Sequence, residues 1–525
     1  MKIKYYSSLV LILFIAIAVF MSCSDQWNNH YEETSIESKS DLNLFDFIKS
    51  QENLTSYTKM LQATGYDTIL SKAQTFTVWA PNDQSLAGID ISNADLAMKL
   101  VKNSIARFSY TTSGIDEKTI LMLNSKFIKF QKASSGYTFD GGHIAEANLG
   151  TANGIVHIMD EYVPSKMNGW EFINNTPGLD SMKQYVNSLS KVVLDTASSY
   201  QNGIFVDSVF KTINPLLTHL AALNVEDSTY TGLFLDNTAW KTAVETIAPY
   251  YKMVETDGGA TQQRASTLWL LARNLFYRGE IENPSALNKL TSTGFITTYE
   301  PNLVFQGAQK FDLSNGLAYM TSQFNIKDTA SWNKTIKVEA EYAGYGRLLS
   351  NYTPVTYAGL GLKASISGDF FLALTDASLS TISKVYATFP IPYTLSTKYN
   401  VYCVFVPKSL LDSTNMKPYQ VKFTINSLNS SGKVASSYIN SNNELVSSSS
   451  AQATFITNPS KIDTMLVAKN IQLPYSNVIY NGETTAEKIN NIKFSVKVES
   501  VTTKTSTTYT RDMMIDCIIL EPVKE

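Results

Sequence analysis

Apolar residues follow two rhythms along this chain, and the change of rhythm divides it. From Leu42 they fall at three- and four-residue steps: Leu44, Phe45, Ile48, then Leu54, Tyr57, Met60 and Leu61. That spacing predicts helices with one buried stripe, and Gly65 ends the run. In "TFTVWAPNDQSL" (75–86), Phe76, Val78 and Ala80 alternate with Thr77 and Trp79, the period of a strand. Pro81-Asn82-Asp83 stops the strand, and Asn82 or Asp83 can cap a helix that follows. "LAMKLVKNSIARFSY" (96–110) returns to the helical period, and "NGIVHIMDEYVP" (153–164) predicts a turn feeding a strand closed by Pro164.

A fainter copy follows in the same order. "YTGLFLDNTAW" (230–240) echoes the first strand, with Leu235 in place of Pro81 and Asp236-Asn237 inverting Asn82-Asp83. "RNLFYRG" (273–279) echoes the central helix, and "SNGLAYMTSQFNI" (314–326) echoes the second strand, with Tyr319 for His157. From about Trp332 helical periods vanish. Eight or so strand-like runs, from "TIKVEAEY" to "MMIDCIILEPV", predict an all-β sandwich. The expected class is therefore α+β, with residues 40–165 and 166–328 as related modules and 329–525 as the sandwich. Residues 427–453, rich in Ser and Asn, predict long surface loops.

Composition narrows the function. Charged residues are 17% of the 525, and the net charge is -3, so no basic field exists to draw nucleic acid. Ser, Thr, Asn and 29 Tyr replace charge, which suits an exported protein. Three cysteines rule out a disulfide scaffold. Cys403 and Cys517 sit in apolar strand-like runs and are expected as buried free thiols, since a disulfide would need close α-carbons that sequence alone does not fix. The four histidines show no metal-ligand spacing, and no G-x-S-x-G elbow, phosphate-cradling loop or C-x-x-C occurs. His157 is expected to satisfy a buried hydrogen bond, and no enzyme is expected.

Three resemblances add to this. Lys2 and Lys4, the apolar run 9–21, Ser22 and Cys23 resemble a bacterial lipoprotein signal of Bacteroidetes type. The resemblance implies a signal peptide at 1–22, lipid on Cys23 and a tether over 23–39. Thr77-Val78-Trp79-Ala80-Pro81-Asn82-Asp83 and Asn153-Gly154-Ile155-Val156-His157-Ile158-Met159-Asp160 resemble the two signatures of the fasciclin domain, and 166–328 resembles a degenerate second copy. The family's frequent central-helix histidine is Ser104 here, which puts an adhesion role at that position in doubt. The opening "KVEAEY" and the closing D-x-I-x-L-x-P strand resemble the first and last strands of jelly-roll carbohydrate-binding modules. That likeness implies calcium at Glu339 and Glu341, two carboxylates that alternate on a strand and so share a face. Tyr342, Tyr345, Tyr352 and Tyr357 follow and could stack on sugar rings.

The expectation is a non-catalytic lipoprotein, anchored in the outer membrane and facing the cell exterior, that binds or adheres. Its partners would be a glycan or matrix ligand, and an outer-membrane transporter or partner lipoprotein of a glycan-uptake system. The alternatives are a carbohydrate-active hydrolase using the third region, with carboxylates spaced across a cleft, or a purely structural adhesin.

Overall fold

Four helices, Leu44–Ser50, Thr55–Ala63, Tyr66–Leu70 and Ala94–Asn103, carry the apolar stripes read from the N-terminal pattern. They pack on one face of a sheet. In the computed structural model the described residues are 38–350, 355–358, 366–374, 384–477, 491–503 and 505–524. The strands of this sheet are β1 (Ser38–Lys39), β2 (Phe76–Pro81), β3 (Ile105–Arg107), β4 (Glu117–Leu121), β5 (Phe127–Lys132), β6 (Tyr137–Phe139), β7 (Gly142–Thr151) and β8 (Gly154–Met159). They lie in the order β3-β2-β8-β7-β6-β5-β4, with β1 beside β7. β2 and β8 are parallel and buried on both faces, as such strands must be when layers cover both sides. Phe76, Val78 and Ala80 join the helices in one core. Trp79 turns to the other face, where it stacks on Phe139 at 4.6 Å and on His157 at 5.4 Å.

Each polar signature residue has a backbone task. Asn153 accepts from the Leu44 N–H at 2.7 Å and donates to the Leu70 and Lys72 carbonyls, tying a turn to two helices. Gly154 lets β8 approach β2, because a Cβ there would stand 2.1 Å from the Phe76 carbonyl oxygen. Asn82 accepts from the Ser85 N–H, but it closes a turn over 83–88 rather than the expected helix; the next helix starts at Ala94 with Asn93 as its cap. Asp83 does something else. Its carboxylate takes the Thr55 and Ser56 N–H groups, capping the earlier helix Thr55–Ala63, whose own N-cap residue Leu54 has no side-chain acceptor. Burial works to raise the Asp83 carboxyl, but hydrogen bonds from Thr55 and Ser56 outweigh it and hold it below the ordinary carboxylate range. Ser104 is buried and bonded to the Tyr57 hydroxyl at 2.7 Å, so it presents nothing to a partner.

The same tasks recur downstream with different residues. β13 (Tyr230–Leu235), β14 (Phe276–Arg278), β17 (Gln309–Leu313) and β18 (Gly316–Thr321) form a sheet in the order β14-β13-β18-β17. Asn315 accepts from the Gly169 N–H and donates to the Leu223 and Val225 carbonyls, and a Cβ on Gly316 would stand 1.8 Å from the Tyr230 carbonyl oxygen. Asp236 caps the following helix Asn237–Ile247, and Asn237 accepts from the Ser181 N–H of the preceding helix Asp180–Ser188. The inverted Asp-Asn order thus keeps the two capping roles by position. Tyr319 donates to the Ile281 and Glu282 carbonyls, a task like that of His157. Three antiparallel pairs complete this stretch: β9 (Lys191–Leu194) with β12 (Phe210–Ile213), β10 (Tyr200–Gln201) with β11 (Ile204–Phe205), and β15 (Leu290–Thr291) with β16 (Thr297–Thr298).

The chain divides into two compact units that do not follow it linearly. The first holds the described residues up to 175 together with 222–230 and 311–318; the second holds 176–221, 231–310 and the described residues from 319 on. Within the first unit Lys126 is buried, with its ammonium 2.8 Å from Glu171, 3.2 Å from Glu226 and 3.0 Å from the Ser314 hydroxyl.

The C-terminal half is built from antiparallel strands. One sheet runs β21 (Val355–Ala358), β22 (Phe370–Leu374), β31 (Met513–Pro522), β24 (Lys398–Phe405), β29 (Asp463–Gln472), with β19 (Ile336–Glu339) also on β31. The other runs β20 (Leu348–Leu349), β23 (Tyr386–Pro390), β30 (Ser495–Ser500), β25 (Gln420–Leu428), β26 (Val434–Ile439), β27 (Leu445–Val446), with β28 (Phe455–Ile456) on β25. Both sheets contribute to one core, including Phe371 and Phe405 from the first and Phe389 and Phe423 from the second. Among the described residues the sheets hold six and seven strands, more than the sequence pattern resolved, because short edge strands such as β20 and β27 carry no readable alternation. Cys403 and Cys517 are free and buried.

His157 makes the fold pH-dependent. Its Nε2 donates to the Tyr110 carbonyl at 2.9 Å and its Nδ1 accepts from the Asn148 N–H at 3.3 Å, which requires the neutral ring. Burial pushes its pKa from 6.5 down to about 4, against the pull of the Tyr110 bond. The stabilisation is present above the unfolded value and is lost as pH falls through the folded one. The urea midpoint of the N-terminal domain should therefore drop between about pH 6.5 and 4. His157→Gln should cost roughly 1–3 kcal/mol at pH 7 and flatten that slope. An unchanged slope in the variant would show that the acid sensitivity comes from elsewhere.

Candidate functional site

Strands β19 and β31 pair antiparallel, which places Glu339 opposite Cys517 and lets the Ala340 N–H donate to the Asp516 carbonyl. This register brings three carboxylates together from two ends of the β-rich half: Glu339, Glu341 and Asp516. β19 ends at Glu339, and Glu341 lies in the turn after it rather than on the strand. The expected alternation therefore does not extend that far. The Glu339 and Glu341 charges both act on Asp516.

Oxygen and sulfur atoms of Glu339, Asp516 and Cys517 lie within 4.8 Å of one another. Ser367, just before β22, organises the cluster. Its N–H donates to both Asp516 oxygens, at 3.1 and 3.2 Å, and its hydroxyl donates to Glu339 at 2.7 Å while accepting from Lys337. The Asp516 carboxyl is pushed up to about 6, first by burial and then, against the Ser367 hydrogen bond, by the Glu339 and Glu341 charges. Burial also raises the Glu341 carboxyl. Glu339 Oε2 and Glu341 Oε2 are buried with no hydrogen-bond partner. Like charges held this close favour either a shared proton or a cation, and Lys337, 3.7 Å from Glu339, supplies part of that positive charge. Burial pushes the Cys517 thiol up to about 12, so it stays protonated and offers little to a soft metal. The donor set is mainly hard oxygen, which fits a divalent cation such as calcium.

The tyrosines divide. Tyr342 is exposed, donates its N–H to the Glu339 carbonyl, and meets Tyr345 edge-on at 5.0 Å. Gly344 allows this, because a Cβ there would fall 2.2 Å from the Tyr342 hydroxyl oxygen. Tyr345 is half-buried, and Tyr357 packs on the core against Phe371 at 5.7 Å. Tyr352 and Cys23 lie outside the described residues. Sequence reasoning missed Asp516, Ser367 and Tyr393. Tyr393 is exposed, has a left-handed backbone (φ 62°), and acts electrostatically on Tyr345. Of these only Asp516 carried a signal, as the first residue of the D-x-I-x-L-x-P strand. A separate concavity of about 760 Å3 is lined by polar groups including Tyr250, Asp328, Asn333, Lys398 and Glu521.

The cation reading has a direct check. Millimolar calcium should raise the thermal midpoint of the β-rich half by a few °C, and a chelator should reverse the gain. Asp516→Asn should abolish that response while leaving the metal-free protein folded. An equal calcium response in the variant would place the ion elsewhere.

The fasciclin domain family matches residues 52–163. Among solved structures, the chain is similar to the FAS1 domain pair of the insect cell adhesion molecule fasciclin I, at 12% identity and a TM-score of 0.21, covering 53% of this chain and 98% of that one. It is similar to a Clostridium thermocellum N-terminal endo-1,4-beta-D-xylanase, CBM22-1–GH10 modules complexed with xylohexaose, at 10% identity and a TM-score of 0.21 over 37% of this chain and 28% of that one. It is also similar to a Paenibacillus xanthan lyase, at 15% identity and a TM-score of 0.22 over 40% and 16%. No curated protein matches the chain. The buried parallel strand pair, the paired caps and the Asn153-Gly154 turn are thus those of a fasciclin domain, which this chain carries at residues 52–163.

Proposed function

We propose that this protein is a non-catalytic lipoprotein of the outer membrane that binds a glycan at the cell exterior. The fasciclin domain belongs to a family generally associated with adhesion or binding. The observation that carries the glycan reading is the exposed Tyr342 ring, held edge-on to Tyr345 on a turn whose backbone N–H is bonded to the Glu339 carbonyl. A ring fixed in this way offers a sugar-stacking face at little entropic cost. Glu339, Glu341 and Asp516 would hold a calcium ion that stiffens the turn beneath it. The carboxylates are bundled into one cluster rather than set across an open cleft, which favours cation holding over paired acid–base work.

Residues 166–328 would be a degenerate fasciclin module; the repeated Asn-Gly and capping roles support this. The β-rich half would be a jelly-roll-like sandwich. Lipid on Cys23 would anchor the chain beside an outer-membrane transporter or partner lipoprotein of a glycan-uptake system.

Tyr342→Ala should weaken retention on insoluble plant or bacterial polysaccharides about tenfold without moving the thermal midpoint. Failure of the wild-type protein to bind any polysaccharide in such a panel would falsify the glycan reading. Cys23→Ala should leave the membrane fraction; continued membrane retention would remove the lipid anchor from the proposal.

A further inference from the structure

Backbone bonds put the fasciclin domain and the stretch that echoes it in register. The Trp79 N–H donates to the Ser104 carbonyl and the Leu233 N–H to the Leu275 carbonyl, so Trp79 matches Leu233 and Asn82 matches Asp236. The cap bonds from Ser56 to Asp83 and from Ser181 to Asn237 match the helices before each sheet in the same way. Met60 then corresponds to Tyr185, and Leu86 to Trp240. Met60 and Leu86 are buried side chains without a hydrogen-bond donor. Their counterparts are also buried, Tyr185 at 8% and Trp240 at 5% exposure, but each brings a donor. Filling the core needs neither a hydroxyl nor an indole N–H.

Among the described residues neither donor has a hydrogen-bond partner. The indole N–H groups of Trp79 and Trp332 are unpaired too, but they are sealed from solvent, whereas the Tyr185 hydroxyl and the Trp240 N–H are not. Both open on a hollow of about 440 Å3 between the helices Asp180–Ser188, Asn237–Ile247 and Gly259–Arg273. Their rings meet at 5.7 Å and form its floor, and Val244 and Leu268 add an apolar wall. The helix Gly259–Arg273 has 15 residues against 10 in Ala94–Asn103, and its added turns place Arg264 on the hollow's edge. Arg264 is exposed and pairs with no carboxylate among the described residues. Glu245 lines the same hollow but faces Lys241 at 3.9 Å.

We propose that this hollow binds a hexuronate, a pyranose sugar bearing one carboxylate. The donor set decides the class. An indole N–H and a guanidinium donate and never accept, so the ligand must supply acceptors. The free fork of Arg264 matches a carboxylate in a bidentate pair, and one unpaired cation balances one negative charge. Ser181 and Gln184 on the rim both donate and accept, as the hydroxyls of a sugar ring require. Val244 and Leu268 meet the C–H face of such a ring. The volume lies within the range of small-ligand sites, which combine an apolar lining with a few fixed polar groups. This hollow is separate from Tyr342, and the inference does not rest on glycan binding there or on the lipid anchor.

The test titrates the full chain, in mild detergent and with isotope-labelled tryptophan, with galacturonic acid, galactose and acetate. Galacturonic acid should bind with a Kd on the order of 1 mM and shift the Trp240 indole N–H resonance, which is identified by its absence from Trp240→Phe. Galactose and acetate should each bind roughly tenfold more weakly or worse. Arg264→Gln should weaken galacturonic acid roughly tenfold at an unchanged thermal midpoint, because the side chain is exposed. A Tyr185→Met, Trp240→Leu double variant, which copies the apolar pair Met60 and Leu86, should stay folded and lose the binding. No response of the wild type to galacturonic acid overturns the proposal. So does equal binding of galactose or of acetate, or full binding by Arg264→Gln. Tyr342→Ala should leave this titration unchanged, so failure here and failure of the Tyr342 site are told apart.

Discussion

One close approach of backbone to backbone governs the N-terminal half. At Gly154 the chain passes so near the Phe76 carbonyl that no side chain fits, and the neighbouring Asn153 amide ties the same turn to two helices. A buried amide that makes three hydrogen bonds contributes about 2–4 kcal/mol net, yet losing it would strand three backbone groups, about 1–3 kcal/mol each. The pair therefore fixes the register of β2 and β8, and with it which residues face the helices and which face Trp79. The same constraint is solved again at Asn315-Gly316. Between the two sites nearly every side chain has changed, while the demand on the backbone has not.

What could be read from sequence follows from this. Signature residues act on backbone groups a few positions away or through a glycine's missing side chain, so their identity shows in one dimension. Asp83 was legible as a cap, but its partner was not: it closes a helix that begins at Thr55, and only the folded sheet brings the two together. The inverted Asp236-Asn237 looked like decay and is an exchange of equivalent acceptors. In the β-rich half Glu339 and Glu341 could be paired by spacing. Asp516 could not, because it arrives on the last strand by register with the first. The strand pairs within residues 189–214 were the least legible elements. Val192, Ile204 and Phe210 have the composition of buried strands, and sequence carries no mark that they face solvent.

The two cysteines illustrate the same point about register. β24 and β31 are neighbours, and Cys403 sits one step away from Cys517, opposite Ile518, while Cys517 faces Val404. Adjacent positions on a strand point to opposite sides of a sheet, so the thiols are separated by the sheet itself. Cys403 belongs to the core, where burial raises its pKa, and Cys517 looks toward the carboxylates. One behaves as a small hydrophobe and the other as an inert wall of a charged site.

Lys126 has a practical meaning for anyone who would divide this protein. Its ammonium gathers Glu171, Glu226 and Ser314, three segments widely spaced along the chain yet all within the first compact unit. Ending a fragment at residue 163, where the fasciclin match stops, would strip this lysine of both carboxylates that neutralise it. The natural excision unit is a discontinuous one, and a minimal N-terminal piece would have to be rebuilt by splicing the later segments onto the first rather than by truncation.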